Sequence, residues 1–212
     1  MSIGLVDRFK HDQDFANLVT LCAGAFGNLA LMVFNAVMWV IDPSSWTATL
    51  TVYFFALVIM SSLVAASTGD ESKLPWRVVA WACGVMLVVL AIIVAVMMYI
   101  CIDTMHNDVL PEIAMIALAA FTFYNAVVAI ITATKTRKGD LRQQTLLRVS
   151  LAGVIGALLM LEMQMFGTYA DLADPQLVVV MEAISGGVGA VLLLSMGCYL
   201  IFLQRKESAG SS

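Results

Sequence analysis

The stretch "ALLMLEMQMFGTYADLADPQLVVVMEAISGGVG", residues 157–189, contains two apolar runs separated by an acidic segment. That segment, residues 169–176, ends near Pro175, which marks the break between the two runs. The stretch therefore predicts two apolar helices joined by a short turn. Each helix also carries one carboxylate, Glu162 in the first and Glu182 in the second, at positions where lipid disfavours a charge.

The composition of the whole chain predicts a membrane protein. Of its 212 residues, 61% are hydrophobic and only 12% are charged, whereas soluble domains carry about 25% charged residues. A chain this apolar cannot cover itself with a polar surface in water, so we expect the lipid bilayer to be its solvent. We expect no nucleic-acid partner.

Six apolar runs are long enough to span a membrane, which takes about 20 residues for roughly 30 Å of hydrocarbon. They predict an all-α, polytopic bundle of six transmembrane helices over residues 17–204. Residues 1–16 and 205–212 are predicted to be cytoplasmic tails. The six predicted spans are about 17–41, 47–67, 76–102, 111–134, 146–168 and 177–203.

The basic residues alternate between successive links. All 11 lysines and arginines lie in the two tails, the second link, and the fourth link with the turn after it. Because cytoplasmic loops are enriched in lysine and arginine, this pattern predicts a multi-pass protein of the bacterial inner membrane with both termini in the cytoplasm. The fourth link is also a candidate site for anionic lipid head groups, through Lys135, Arg137, Lys138 and Arg142.

Two pairs of similar segments suggest an internal repeat. "FNAVMWVI" at 34–41 resembles "YNAVVAII" at 124–131, three spans later, and "CGVMLVVL" at 83–90 resembles "GGVGAVLLL" at 186–194. Copies three spans apart cross the membrane in opposite directions, as in the inverted repeats of many transporters. A 3+3 inverted repeat and a chance match between apolar helices both remain open.

The two intramembrane glutamates are the main candidates for a binding site. Glu182 shares a helical face with small residues that would let another helix approach, so it should face protein or a water-filled cleft. No lysine or arginine lies at the depth of either glutamate, so each would be neutral or bound to a cation or amine. Four amides are candidate partners: Asn28, Asn35, Asn125 and Gln164. The alternative is that these polar residues only bond across helices and hold the bundle together.

Small residues at helical spacing predict close helix packing. The candidate packing positions are Ala23, Gly27, Gly153, Ala157, Ser185, Gly186 and Gly189.

No catalytic motif is recognisable. The chain has no glycine-rich phosphate loop, no HExxH and no GxSG, its four cysteines form no CxxC pair, and both histidines lie outside the predicted spans. We therefore expect no enzyme activity, no cofactor and no metal site.

Three features resemble those of small six-span bacterial membrane proteins without an assigned activity. They are the tyrosine–asparagine pair of the fourth span, the basic link "KTRKGDLR" at 135–142, and the last span "GGVGAVLLLSMGCYLI" at 186–201. This resemblance implies no activity. The layout is also similar to that of the substrate-binding subunits of energy-coupling factor importers, which dock a shared membrane subunit through small residues of the first span. Ala23 and Gly27 are compatible with such docking.

Two functional hypotheses follow. The first is a small transporter or transporter subunit whose site lies in the outer half of the bundle around Glu162 and Glu182, with a small cation or amine as ligand. The second is a non-catalytic partner or assembly protein that binds other membrane proteins, further copies of itself or anionic lipids. A transporter should have a polar cavity joining the glutamates, whereas an assembly protein should have them bonded by Asn, Ser or Tyr.

Overall fold

The computed structural model describes residues 13–41, 43–67, 75–103, 112–135, 140–169 and 175–209. The described residues form six α-helices and no strand, so the all-α prediction is confirmed. Each helix coincides with one of the six apolar runs. The helices are α1 Gln13–Ile41, α2 Ser45–Ala66, α3 Trp76–Asp103, α4 Glu112–Lys135, α5 Leu141–Tyr169 and α6 Pro175–Ala209.

Five of the helices are long and apolar enough to cross a membrane. In α4 the described apolar stretch is shorter, Leu118–Ile131, so this criterion gives five spans where the sequence predicts six. Large apolar side chains are also exposed on the outside of the bundle, for example Phe26, Val40 and Phe202. Both observations support a protein that is embedded in lipid. The five qualifying stretches are Gly24–Ile41, Ser45–Ala66, Trp76–Tyr99, Leu141–Phe166 and Gln176–Lys206.

The helix starts follow from local capping chemistry. The Ser44 side chain accepts a hydrogen bond from the Thr47 N–H at 3.1 Å and so satisfies a free donor at the start of α2. Asp140 does the same for α5, where its Oδ1 accepts from the N–H groups of Arg142 and Gln143 at 3.0 and 3.3 Å. Pro175 is the first residue of α6, two residues before the predicted span begins, and its missing backbone N–H is not needed in a first turn.

The last helix is longer than its predicted span. It continues to Ala209, well into the predicted tail 205–212. Its final turns contain glutamine, arginine, lysine and glutamate, which are good helix formers in water. The apolar run therefore marks the part of α6 that lies in lipid, and helix propensity carries the helix beyond it.

The core lies between α2, α3, α5 and α6. The most extensive pairing is between α3 and α6, while α1 packs mainly on α2 and α4 packs mainly on α5. A main cluster of buried side chains includes Phe54 of α2, Leu87 of α3, Met160 of α5 and Leu193 of α6. A second, smaller cluster of Ala80, Leu141 and Leu203 joins one end each of α3, α5 and α6.

Two glycines let the backbones of α3 and α6 touch. A Cβ atom placed on Gly197 would lie 2.7 Å from the carbonyl oxygen of Gly84 and 3.1 Å from the backbone nitrogen of Val88. Backbone atoms cannot move aside as a flexible side chain can, so this crossing requires glycine at position 197. Neither glycine is among the packing positions proposed from the sequence.

A buried tyrosine joins α2 to α5. The Tyr53 hydroxyl donates a hydrogen bond to the carbonyl oxygen of Ala152 at 2.7 Å, and the side chain is only 2% exposed. Its ring lies against Gly156, where any side chain would collide with it. The phenol therefore buries its ring and still satisfies its polar end.

The bundle has two chemically different ends. We call the end of the bundle at Trp76, Leu141 and Leu203 the basic end. There the second cluster holds α3, α5 and α6 together. The carboxylate end is defined by Glu162 and Glu182, near the opposite ends of α5 and α6.

Candidate functional site

The structure brings the two glutamates together. Glu162 of α5 and Glu182 of α6 are both half-buried, and they are close enough for their charges to interact. The side chain of Ser185, on α6, lies near the Glu162 carboxyl group. Two carboxyl groups and one hydroxyl group therefore lie near one another where α5 and α6 face each other.

Glycines of α6 make this approach possible. A Cβ atom on Gly189 would lie 3.3 and 3.4 Å from the side chains of Ile155 and Leu159, so α5 packs tightly at this level. Gly186, one turn beyond Glu182, lies directly against Met98 of α3. Both glycines are packing positions proposed from the sequence, and they place Glu182 beside α5 and α3.

Ser185 is bonded within its own helix. Its Oγ donates a hydrogen bond to the backbone carbonyl oxygen of Glu182 at 3.2 Å, and its side chain lies near the Glu162 carboxyl group of α5.

Among the described residues of α5 and α6, no lysine or arginine lies near the pair. The chain has no lysine or arginine between residues 78 and 134 or between residues 149 and 204. Two neighbouring carboxylates repel each other strongly where little water is present. The repulsion can be relieved by a proton or by a cation taken from outside the protein.

The amides of α1 lie on a different face of α5. Asn28 packs against Gly153, where an added Cβ would lie 3.3 Å from the Asn28 Oδ1. Asn35 is 2% exposed, and its Nδ2 donates to the Leu31 carbonyl oxygen at 2.8 Å and to the Met160 sulfur at 3.6 Å. These contacts hold α1 against α5.

The six candidate ligand residues therefore do not form one site. Gly153 and Glu162 are about half a turn apart in angle on α5, so Glu162 points away from the side that α1 covers. Gln164 shares the Met160 face and is buried, whereas Asn125 is half-buried on α4. Among the described residues, Glu162 and Glu182 lie near each other, and Ser185, which the sequence suggested only for packing, lies beside them.

The remaining proposed positions divide between packing and the basic end. Gly27 lies directly against the Phe121 ring of α4, and Ala157 is fully buried. The Arg142 guanidinium lies over the Trp76 ring, 5.6 Å from its centroid. The side chains of Ala23 and Lys135, and all of Arg137 and Lys138, lie outside the described residues.

Two further features were not found from the sequence. Trp46 is 3% exposed, and its indole N–H has no hydrogen-bond partner among the described residues. Arg148 of α5 lies over the Tyr199 ring of α6, 4.1 Å from its centroid. The spacing of Gln144 and Arg148, one helical turn apart at the start of an apolar span, is the signal that could have drawn attention to Arg148.

One small cavity lies between α2, α3 and α5, next to the Tyr53 ring. Its lining offers no charged group. The lining residues are Thr49, Leu50, Tyr53, Ile93, Val94, Met97, Gly156 and Leu159.

In the described part of the chain, no group of three or more His, Cys, Asp and Glu side chains converges as a metal site would require. Comparison with known proteins gives no match to a protein-family model, to a curated protein or to a solved structure.

Proposed function

We propose that the protein is a small transporter or transporter subunit that takes up a proton, a small cation or an amine at Glu162 and Glu182. The observation that carries the proposal is the meeting of these two carboxyl groups across α5 and α6 with no basic residue to balance them. Ionisable groups inside a membrane commonly mark ion pathways and proton relays. The proposal assigns no catalytic step to the chain.

A proton is the simplest of these ligands, because it neutralises one carboxyl group without any further protein ligand. Loss of that proton would leave two negative charges near each other across α5 and α6. Proton loss would therefore loosen the contact between α5 and α6, which is how protonation could be coupled to movement.

The proposed topology has six spans, both termini in the cytoplasm and the carboxylate pair in the outer half of a bacterial inner membrane. Alternation of the basic links supports it. Helix α4 has 24 residues, which at 1.5 Å per residue is about 36 Å and enough to cross the hydrocarbon.

The pairing of the helices supports an inverted 3+3 repeat as part of the proposal. In such a repeat α1, α2 and α3 correspond to α4, α5 and α6. The pairings α1–α2 and α2–α3 recur as α4–α5 and α5–α6, and the corresponding helices α2 with α5 and α3 with α6 contact each other. Both glutamates would then lie in the second repeat, α4 to α6, which contacts Met98 of the first repeat at Gly186.

One observation favours the second candidate function, a non-catalytic partner or assembly protein. The Ser185 side chain bonds the backbone of Glu182 and lies near the Glu162 carboxyl group, as expected if the glutamates only join helices. In that case the exposed surfaces of α1 and α4 would contact another membrane protein or a second copy of this chain.

The experiment that tests the proposal is thermal unfolding of the detergent-purified protein against pH, sodium, potassium, magnesium and a primary amine. A ligand at 100 times its dissociation constant adds about 2.7 kcal/mol of stability, or roughly 5 °C or more in the unfolding temperature. We expect such a shift for the wild type with at least one ligand or on acidification, and its loss in Glu162→Gln and Glu182→Gln.

Glu112→Gln is the matched control, because it removes one negative charge at the first residue of α4, outside the pair, and should keep the shift. The proposal would be contradicted if the wild type and both glutamine variants unfolded at the same temperature under every condition. That result would favour the partner protein.

A further inference from the structure

Arg148 occupies an unusual position for a charged residue. It lies on the buried face of α5, in line with Leu141, Thr145 and Ala152, which are 4%, 0% and 0% exposed. Its guanidinium lies over the Tyr199 ring, with its central carbon 4.1 Å from the ring centroid. The aromatic ring therefore stabilises the cation without neutralising it.

The side chain of Arg148 runs towards the basic end. Its Nη1 donates to the Gln144 backbone oxygen at 3.2 Å and also bonds the Gln144 side-chain oxygen. Gln144 lies one turn nearer the start of α5, so the guanidinium lies closer to that end than its own Cα. At 1.5 Å per residue, the Cα is about 10 Å along the helix from Leu141. Such a depth places the cation near lipid head groups.

Every contact that the described residues make with this guanidinium comes from an uncharged group, either Gln144 or Tyr199. Its Nε is buried and has no hydrogen-bond partner among them. A half-buried cation is stabilised most by an anion that can also accept hydrogen bonds. No carboxylate of the described chain supplies that anion.

A second cation lies at the same end. Arg142 stacks on Trp76 of α3, and the contact of Leu141 with Ala80 and Leu203 holds the three helix ends together. The only acidic side chain among the residues that begin α5 is Asp140, whose Oδ1 caps the helix. The start of α5 is therefore positively charged on two sides, towards α3 and towards α6.

A mainly apolar stripe leads away from this cation along α6, with one hydroxyl, that of Ser195, which donates to the Leu192 carbonyl oxygen at 2.8 Å. Tyr199, Leu192 and Val188 follow one another at helical spacing and are 40%, 46% and 54% exposed. A phosphate bound beside Tyr199 could therefore continue into acyl chains that lie along the stripe.

We propose that the basic end binds an anionic phospholipid, with its phosphate at Arg148 between α5 and α6 and an acyl chain along the exposed stripe of α6. Arg148 supplies the charge-assisted hydrogen bonds, Tyr199 holds the guanidinium in place, and Arg142 adds a second positive charge. Free phosphate offers the same oxygen chemistry but no chain, so the two sources can be distinguished. The inference is independent of the proposed transport function, because it concerns the opposite end of the bundle.

The test is native mass spectrometry of the full-length protein in detergent with equal amounts of phosphatidylglycerol and phosphatidylcholine. A charge-assisted contact that is worth 1.5–3 kcal/mol corresponds to a preference of about tenfold or more. We expect the wild type to retain phosphatidylglycerol with such a preference and Arg148→Gln to lose most of it. Arg205→Gln removes an equal charge from an exposed position near the end of α6 and should retain it.

A second variant keeps the test decisive if Arg148→Gln folds poorly. Tyr199→Leu keeps every charge but removes the ring, and we expect it to weaken phosphatidylglycerol retention several-fold. Equal losses in Arg148→Gln and Arg205→Gln would overturn the proposal in favour of general charge attraction. Displacement of phosphatidylglycerol by millimolar inorganic phosphate would also overturn it, because the site would then serve a soluble anion.

Discussion

At the scale of single residues, the polar groups of the bundle fall into two classes. Tyr53 and Asn35 have their hydrogen bonds completed by neighbouring helices and hold the bundle together. Glu162, Glu182 and Arg148 bring charge into the apolar region without an opposite charge from the described chain. The presence or absence of a partner group therefore distinguishes structural polar residues from candidate binding residues better than their position within a predicted span does.

Removal of the Tyr53 hydroxyl should destabilise the protein modestly. Tyr53→Phe loses the 2.7 Å bond to the Ala152 oxygen, and interhelical hydrogen bonds in membranes are worth about 0.6 to 2 kcal/mol. We expect a loss of about 1 kcal/mol in the free energy of unfolding, measured by thermal or denaturant unfolding in detergent. Tyr99→Phe is the control, since Tyr99 is 79% exposed, and an equal loss there would show that the bond to Ala152 adds nothing.

The residues of the candidate site could be predicted only in part. Glu162 and Glu182 stand out in the sequence because lipid disfavours a charge, and no other residue type gives so clear a signal. Their separation from Asn28 and Asn35 could not be predicted, because it depends on which neighbours cover each face of α5. The sequence places Arg148 among the basic residues around the start of the fifth span, and the contact with Tyr199 shows that it lies at a helix interface.

At the scale of the elements, the helices were predictable and their pairing was not. Apolar runs, Pro175 and the capping residues Ser44 and Asp140 give the helix bounds to within a few residues at most ends. The tight pairing of α3 with α6 depends on Gly84 and Gly197 facing each other. Small residues are common in every span of this chain, so their presence alone does not show which helices pack against each other.

The glycine crossing of α3 and α6 should not tolerate even one methyl group. In Gly197→Ala the new Cβ would lie 2.7 Å from the Gly84 oxygen, and overpacking of this kind typically costs about 1–3 kcal/mol. We expect a clear decrease in unfolding temperature in detergent.

Gly187→Ala is the matched control on the same helix, because nothing lies within 4 Å of its added Cβ. That change should be neutral or slightly stabilising, since alanine favours a helix over glycine by about 0.5–1 kcal/mol. Equal effects at positions 187 and 197 would mean that α3 and α6 are not in backbone contact.

At the scale of the whole molecule, the number of spans decides the side on which the chain ends. If α4 crosses the membrane, both termini lie on one side, and if it does not, the C-terminus lies opposite the N-terminus. The basic residues of the tails favour the first arrangement.

Reporters fused to the C-terminus of the full chain should distinguish the two arrangements. We expect a fluorescent protein that matures only in the cytoplasm to be bright, and an alkaline phosphatase that needs export to be inactive. The two fusions control for each other, because a given topology allows only one of them to work. An active phosphatase and a dark fluorescent protein would show that α4 does not span the membrane.

The backbone contact between α3 and α6 also has a consequence for biogenesis. The ribosome completes α3 long before α6, with α4 and α5 in between. During that interval the groove at Gly84 has no occupant, so the nascent bundle leaves its tightest interface open to lipid or to an insertion factor. Assembly can finish only when the last helix leaves the translocon, and a chain that stops before Gly197 should be a substrate for membrane proteases.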